Sequence, residues 1–234
     1  MIQLENLTFA YGEAGAESGL SDVMLNISRG KCVVLCGRSG CGKTTLLRLI
    51  SGLIPSVYEG TIKGMVLVDG KDPAALSPEE KAEKIGLVFQ DPRSQFFMSK
   101  VRDELAFSGE NLGLPREKIL ERIDALAGLL RITDLLDADL NKLSSGQKQK
   151  VAIASACLLR PPLLILDEPC ANLDTASAKE LVRILQVIKQ GGTTIIIGEH
   201  RLHEFLPVTD RYICIEKGRI ARDWNKEQFA ALSC

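Results

Sequence analysis

The chain has 234 residues, 45% of them hydrophobic and 25% charged. That is enough apolar material for one full core with a small attached subdomain, and too much for a disordered protein. A net charge of −1, without any long basic run, removes the electrostatic reason to expect a nucleic-acid partner.

The N-terminal segment alternates in period two, with Ile2, Leu4, Leu7, Phe9 and Tyr11, then Val23, Leu25 and Ile27. Two strands are predicted, separated by a turn over Gly12–Gly19. The opening MIQLENLTFAYG has neither a basic flank nor a small-residue cleavage site, so no leader is expected. Cys32–Cys36 reads as a buried strand between Gly30 and Gly37. Leu46, Leu47, Leu49, Ile50 and Leu53 have helical spacing, predicting a helix over Thr44–Leu53 that Pro55 stops. A strand is predicted over Glu59–Asp69, then a helix opened by Ser77-Pro78-Glu79-Glu80, which reads as a capping box with proline at the first position. Ile85–Phe89 is a short apolar strand.

From Asp91 to about Arg160 the pattern turns helical, over Val101–Phe107, Arg116–Leu130 and Gln147–Leu159. Strands return at Leu163–Leu166 and Thr193–Ile197, with a helix over Ser177–Lys189 between them. RYICIEKGRIARDW reads as a hairpin turning at Lys217-Gly218, followed by a short helix. No apolar window reaches the roughly 18 residues of a membrane span. Seven cysteines at these spacings fit neither a disulfide framework nor a zinc site, so free thiols in a reducing cytosol are expected. This order predicts a mostly parallel α/β core interrupted by a helical insertion.

Three motifs carry chemistry. Gly37-Arg38-Ser39-Gly40-Cys41-Gly42-Lys43-Thr44 fits G-x-x-x-x-G-K-[ST] and lies between a predicted strand and a predicted helix. Its glycines let successive backbone N–H groups cradle phosphates, Lys43 reaches the β- and γ-phosphates, and Thr44 offers a hydroxyl to Mg²⁺. Leu163–Leu166 runs into Asp167 and Glu168 at a strand's C-terminal edge, where α/β proteins bind ligands. Asp167 suits a metal shell, and Glu168 suits a residue that orients or deprotonates water. Leu143-Ser144-Ser145-Gly146-Gln147 opens a helix whose free amides form a second anion site. His200 and His203, with Glu199 and Glu204, superficially suggest a metal site, but Pro207 stands where an HExxH motif needs its second histidine. Cys41, beside Lys43 at a helix start, is expected to be alkylated readily and protected by nucleotide.

Together these motifs resemble the ATP-binding cassette (ABC) ATPases over nearly the whole chain. The resemblance implies a P-loop NTPase fold: an ABC core over 1–91 and 160–234, with an antiparallel β subdomain, and a helical subdomain over 92–159. It implies ATP and Mg²⁺, adenine stacking on Tyr11, and phosphate contacts along the loop through Thr45. Gln90 joins Thr44 and Asp167 at the metal, and His200 senses the γ-phosphate beside Glu168. It also implies that the nucleotide is completed in trans by Ser144, Ser145, Gly146, Gln147 and Asp174 of a second cassette. That would explain two anion sites on one chain. Ser145 departs from the family, where glycine is usual.

The run from Gln90 to Pro115 and the stretch GEHRLHEF resemble the ATPases of energy-coupling factor importers for vitamins or metal ions. The implied partners are a second ABC ATPase, a transmembrane component docking near Gln90–Phe107 and, indirectly, a membrane substrate-binding component, with no nucleic acid. The implied location is the cytoplasmic face of the cell membrane. Longer members carry a further C-terminal dimerisation segment, which this chain is expected mostly to lack. An ordinary ABC importer or exporter ATPase and a soluble ABC regulator remain alternatives. A P-loop kinase would leave the Leu143–Gln147 motif without a purpose.

Overall fold

In the computed structural model, residues 1–12 and 19–232 are described. The turn expected over Gly12–Gly19 and the end at Cys234 fall largely outside them. In chain order the elements are β1 (Ile2–Tyr11), β2 (Gly19–Ile27), β3 (Cys32–Cys36), α1 (Lys43–Ile50), α2 (Leu53–Ser56), β4 (Gly60–Val68), α3 (Pro78–Lys84) and β5 (Ile85–Val88). There follow α4 (Val101–Asn111), α5 (Arg116–Leu130), α6 (Ser145–Cys157), β6 (Leu163–Asp167), α7 (Thr175–Gln190), β7 (Thr194–Gly198), β8 (Arg211–Glu216), β9 (Arg219–Asn225) and α8 (Lys226–Ala231).

The strands form two sheets. One is antiparallel, in the order β2-β1-β4; the other runs β5-β6-β7-β3-β8-β9 and is parallel except for the β8–β9 hairpin. The central strands β3 and β7 are buried along their length, as parallel strands are when both faces are covered. Their alternation sorts residues between two cores. Val33, Leu35, Ile165 and Ile196 face α1 and the antiparallel sheet. Val34, Leu164, Leu166, Ile195 and Ile197 face α7 and the helices α4–α6. The sheet is therefore the middle layer of three, and the C-terminal ends of β3, β6 and β7 emerge side by side.

Helix ends depart from the sequence expectation for local reasons. The first helix stops at Ile50 because Gly52 turns left-handed at φ 69°, where a Cβ would stand 2.4 Å from the Pro73 carbonyl oxygen. Pro55 then sits in the separate turn α2 rather than ending α1. Helix α6 starts at Ser145, two residues early, because Ser144 and Gln147 close a capping box. Helix α7 starts at Thr175 because the Asp174 carboxylate accepts the Ser177 N–H at 2.7 Å. The box at Ser77–Glu80 forms as expected.

Candidate nucleotide-binding site

The glycine-rich turn leaves β3 and enters α1. Gly37, at φ 139°, has no room for a side chain: a Cβ would lie 2.2 Å from the Ile215 carbonyl oxygen. The loop is also pinned from the hairpin, where Gly218 N–H donates to the Cys41 carbonyl at 3.0 Å. Helix α1 begins with Gly42 as a cap that has no side chain to offer, so its first amides have no side-chain acceptor there. Gly37, Arg38, Ser39, Gly40 and Cys41 line an open cleft of about 1050 Å³ together with His200.

Lys43 lies buried behind the loop, and its Nζ donates to the Gly37 carbonyl at 2.9 Å. The same ammonium lies 3.3 Å from His200 Nε2, and that nitrogen is 3.2 Å from Glu168 Oε1. One ring nitrogen either donates or accepts, so His200 can serve Lys43 or Glu168 but not both at once. The other Glu168 oxygen accepts from Gln90 Nε2 at 2.8 Å. Four residues from four separate segments, Lys43, His200, Glu168 and Gln90, thus form one chain of polar contacts. Glu168 holds a left-handed backbone (φ 46°) that non-glycine residues rarely adopt, and its N–H donates to the Gly198 carbonyl at 2.8 Å. Strain of this kind concentrates at functional sites.

Asp167 lies next to this chain. Burial pushes its carboxyl above the usual carboxylate range, against the Thr44 hydroxyl bond that lowers it. Its Oδ1 is buried with no hydrogen-bond partner.

Tyr11, at the end of β1, bonds through its hydroxyl to Thr45 Oγ1 at 3.1 Å and accepts from Arg48 at 3.4 Å. Its ring stands edge-on to Phe9. The side chain of Thr45, expected on the phosphate, therefore faces β1. Cys41 is corrected more plainly. Its side chain turns inward to join the core under α1 and is 8% exposed, so ready alkylation is not expected.

The second motif stands apart from the cleft. Ser144 caps α6, donating its N–H to Gln147 Oε1 at 2.9 Å and accepting the Gln147 N–H at 3.3 Å. The Gln147 carbonyl is thus engaged within its own chain. Ser144, Ser145 and Asp174 are exposed. Ser145 lines a different cavity of about 320 Å³, shared with Gln90, Asp91 and Asn172. The phosphate loop and Ser145 thus line separate cavities.

The family model described as "ABC transporter" matches residues 20–171. An ABC transporter ATP-binding protein of Treponema denticola is 42% identical over 232 residues, covering 99% of this chain and 47% of that protein. The chain belongs to the ABC transporter family. This cassette spans about half the length of that curated relative. Among solved structures, cbiO1 of Clostridium perfringens, described as part of the ABC transporter complex cbiONQ, superposes with a TM-score of 0.86 at 31% identity, over 99% of this chain and 91% of that one. The cassette MJ0796, solved as a dimer in a post-hydrolysis state with ADP and Pi, superposes with a TM-score of 0.76 at 27% identity, over 97% and 99%. ABC ATPases bind ATP with Mg²⁺, and the residues here fit that metal. Asp167 keeps a buried oxygen unpaired beside the Thr44 hydroxyl, and hard oxygen donors of this kind suit Mg²⁺. Among the described residues no cluster of three or more His, Cys, Asp or Glu forms a separate metal centre. No helix among the described residues is long and apolar enough to cross a membrane.

The contacts that two groups make near the site were not anticipated from the sequence. The β8–β9 turn, with Glu216 and Lys217, lines the phosphate cleft; a hairpin far along the chain carries no signal of that neighbour. Glu199 and Arg201 flank His200 and bond to the loop after Glu168. Only an acid placed at the end of a buried strand hinted at the first of them.

Proposed function

We propose that this cassette hydrolyses ATP at a site completed by a second cassette, and that the cycle drives an importer of the energy-coupling factor type. The observation that carries the reading is convergence in one place and separation in another. Lys43, His200, Glu168 and Gln90 touch in sequence around the phosphate loop, while Ser144 and Ser145 lie exposed and are not among the residues lining that cleft. A helix start carrying roughly +0.5 charge, with its serine hydroxyl at the rim, suits a phosphate presented by a neighbour.

In this reading the phosphate-loop amides and Lys43 bind the β- and γ-phosphates. Glu168 orients the attacking water and takes its proton, and His200 and Gln90 hold that carboxylate from either side. His200 leaves Lys43 or Glu168 when a γ-phosphate offers an acceptor, because its Nε2 serves one partner at a time. Thr44, Asp167 and Gln90 would hold Mg²⁺, which when bound offsets charge on the phosphoryl oxygens. Ser144, Ser145, Gly146 and Asp174 of the partner would complete the site, and Tyr11 and Thr45 would meet the nucleoside end.

The same reading assigns 92–159 as the helical subdomain and the remainder as the core. Gln90 stands at their junction and bonds Glu168 directly. Phe89, Phe97 and Met98 beside it are exposed, with Phe97 at 74%. These exposed apolar side chains support the reading that a transmembrane component docks here, and in that reading the cassette works at the cytoplasmic face of the membrane.

Glu168→Gln tests the mechanism. The variant should bind ATP, stall hydrolysis and elute as a dimer only with ATP, while Lys43→Ala should remain monomeric. A Glu168→Gln chain that stays monomeric at saturating ATP would falsify the shared site. Co-purification of a small membrane substrate-binding protein, rather than a larger permease alone, separates the importer type from the ordinary one.

A further inference from the structure

Glu199 lies outside the chain of contacts that joins Lys43, His200, Glu168 and Gln90. It is 2% exposed, follows β7 and precedes His200. Its carboxylate spans two loops. Oε1 accepts the N–H of His200 at 2.8 Å and that of Arg201 at 3.3 Å, and Oε2 accepts the N–H of Cys170 at 3.1 Å. Arg201 makes a second crossing in the opposite sense, donating from Nη1 to the Leu173 carbonyl at 3.0 Å. The loop of His200 is therefore fastened at two points to Cys170–Leu173, which leads directly into Asp174.

We propose that Glu199 and Arg201 are positioning residues forming a brace that makes the His200 loop and the Cys170–Asp174 segment move as one piece. The inference rests on the shared-site reading, in which His200 meets the γ-phosphate of its own cassette and Asp174 faces the neighbour. A phosphate that draws His200 then draws the neighbour-facing segment with it, so occupancy of one site is felt at the other. A buried carboxylate taking three backbone donors suits this purpose, because charge-assisted bonds resist stretching more than neutral ones. Two independent bonds between the loops also resist rotation, which a single bond would permit.

The geometry supplies a selective perturbation. In Glu199→Gln the amide oxygen stays with the two donors, His200 and Arg201, which leaves the NH₂ facing the Cys170 N–H. Donor then meets donor, so the cross-loop bond is cut while the local hook remains. Arg201→Ala removes the other crossing from an exposed side chain, and Arg201→Lys can still donate to Leu173.

The test is steady-state Mg·ATP hydrolysis by the full chain, with kcat, KM and Hill coefficient resolved. Glu199→Gln should lower kcat by on the order of 10–100-fold through misplacement of His200. Its KM should stay within about twofold, and its Hill coefficient should fall toward 1. Arg201→Ala should lower kcat and the Hill coefficient together, and Arg201→Lys should recover much of both. A purely structural role would reduce the yield of folded protein without changing the Hill coefficient. Wild-type kcat and cooperativity in both Glu199→Gln and Arg201→Ala would overturn the brace. Should wild type hydrolyse no faster than Lys43→Ala, the shared-site reading itself fails and the brace falls with it.

Discussion

Gly146 offers a quantitative test of how the second anion site is built. It lies in the first turn of α6, where a Cβ would stand 2.7 Å from Ser177 Oγ and 3.2 Å from Ser177 Cβ. Two opposing effects decide the outcome of Gly146→Ala. Replacing glycine inside a helix gains about 1 kcal/mol. Overpacking costs about 1–3 kcal/mol, and the middle of that range applies because the nearest atom is a short hydroxyl that can turn. The net is a loss of about 1 kcal/mol, or a fall of about 2–4 °C in melting temperature for a chain of this size.

Thermal unfolding followed by circular dichroism should be compared for Gly146→Ala, Ser177→Ala and the double variant. Ser177→Ala removes the 2.7 Å contact and leaves only the milder one, so Gly146→Ala should become neutral or stabilising in that background. Equal stabilisation by Gly146→Ala with and without the Ser177 hydroxyl would refute the packing argument. ATP hydrolysis separates the remaining possibility. If the double variant regains stability but not turnover, the space beside Gly146 is needed by the partner's phosphate and not only by α7.

Asp167→Asn removes a buried carboxylate whose pKa is raised by burial. The folded protein holds that proton at pH values where the unfolded chain has released it, so the charge costs stability above the folded pKa and the cost disappears as pH falls through it. Without nucleotide, the variant should therefore melt higher than wild type at neutral pH and lose that advantage in acid. Mg²⁺-supported nucleotide binding should be abolished, and an unchanged melting curve across pH would contradict the assignment. The thiols of Cys32, Cys36, Cys157 and Cys170 are pushed up to about 12 by burial. Iodoacetamide at pH 8 should label these, and the buried Cys41, only slowly until guanidinium is added. Rapid labelling of native Cys41, read by mass spectrometry, would restore the sequence expectation. Finally, buried Glu104 accepts the N–H groups of Phe97 and Met98, both at 2.9 Å. Glu104→Ala should cost about 1–3 kcal/mol and raise hydrogen exchange at those two amides. Unchanged exchange there would remove Glu104 as the support of the exposed aromatic patch.

Legibility in the sequence followed the range of the interaction concerned. The glycine-rich turn, the paired acids and the Ser77 box are written in a few consecutive residues, and their backbone consequences are local. Strand and helix periods likewise repeat within one element, so β3, β6, β7 and α5 were readable almost residue for residue. Capping shifted the starts of α6 and α7 because a side-chain acceptor lets the helix begin earlier than the apolar pattern does.

The arrangement of those pieces needed the folded chain. Placing β3 between β7 and β8 depends on which hydrophobic faces can be covered together, a property of the whole sheet and not of any segment. The inward turn of Cys41, the hold of the β8–β9 turn on the phosphate loop, and the engagement of Tyr11 with Thr45 all arise from pairs distant in sequence. So does the meeting of Lys43 with His200 across 157 positions. Residue type and spacing specify what a side chain can do chemically. Its partner is set by packing, because burial forces each polar group to find a neighbour that only the completed fold supplies.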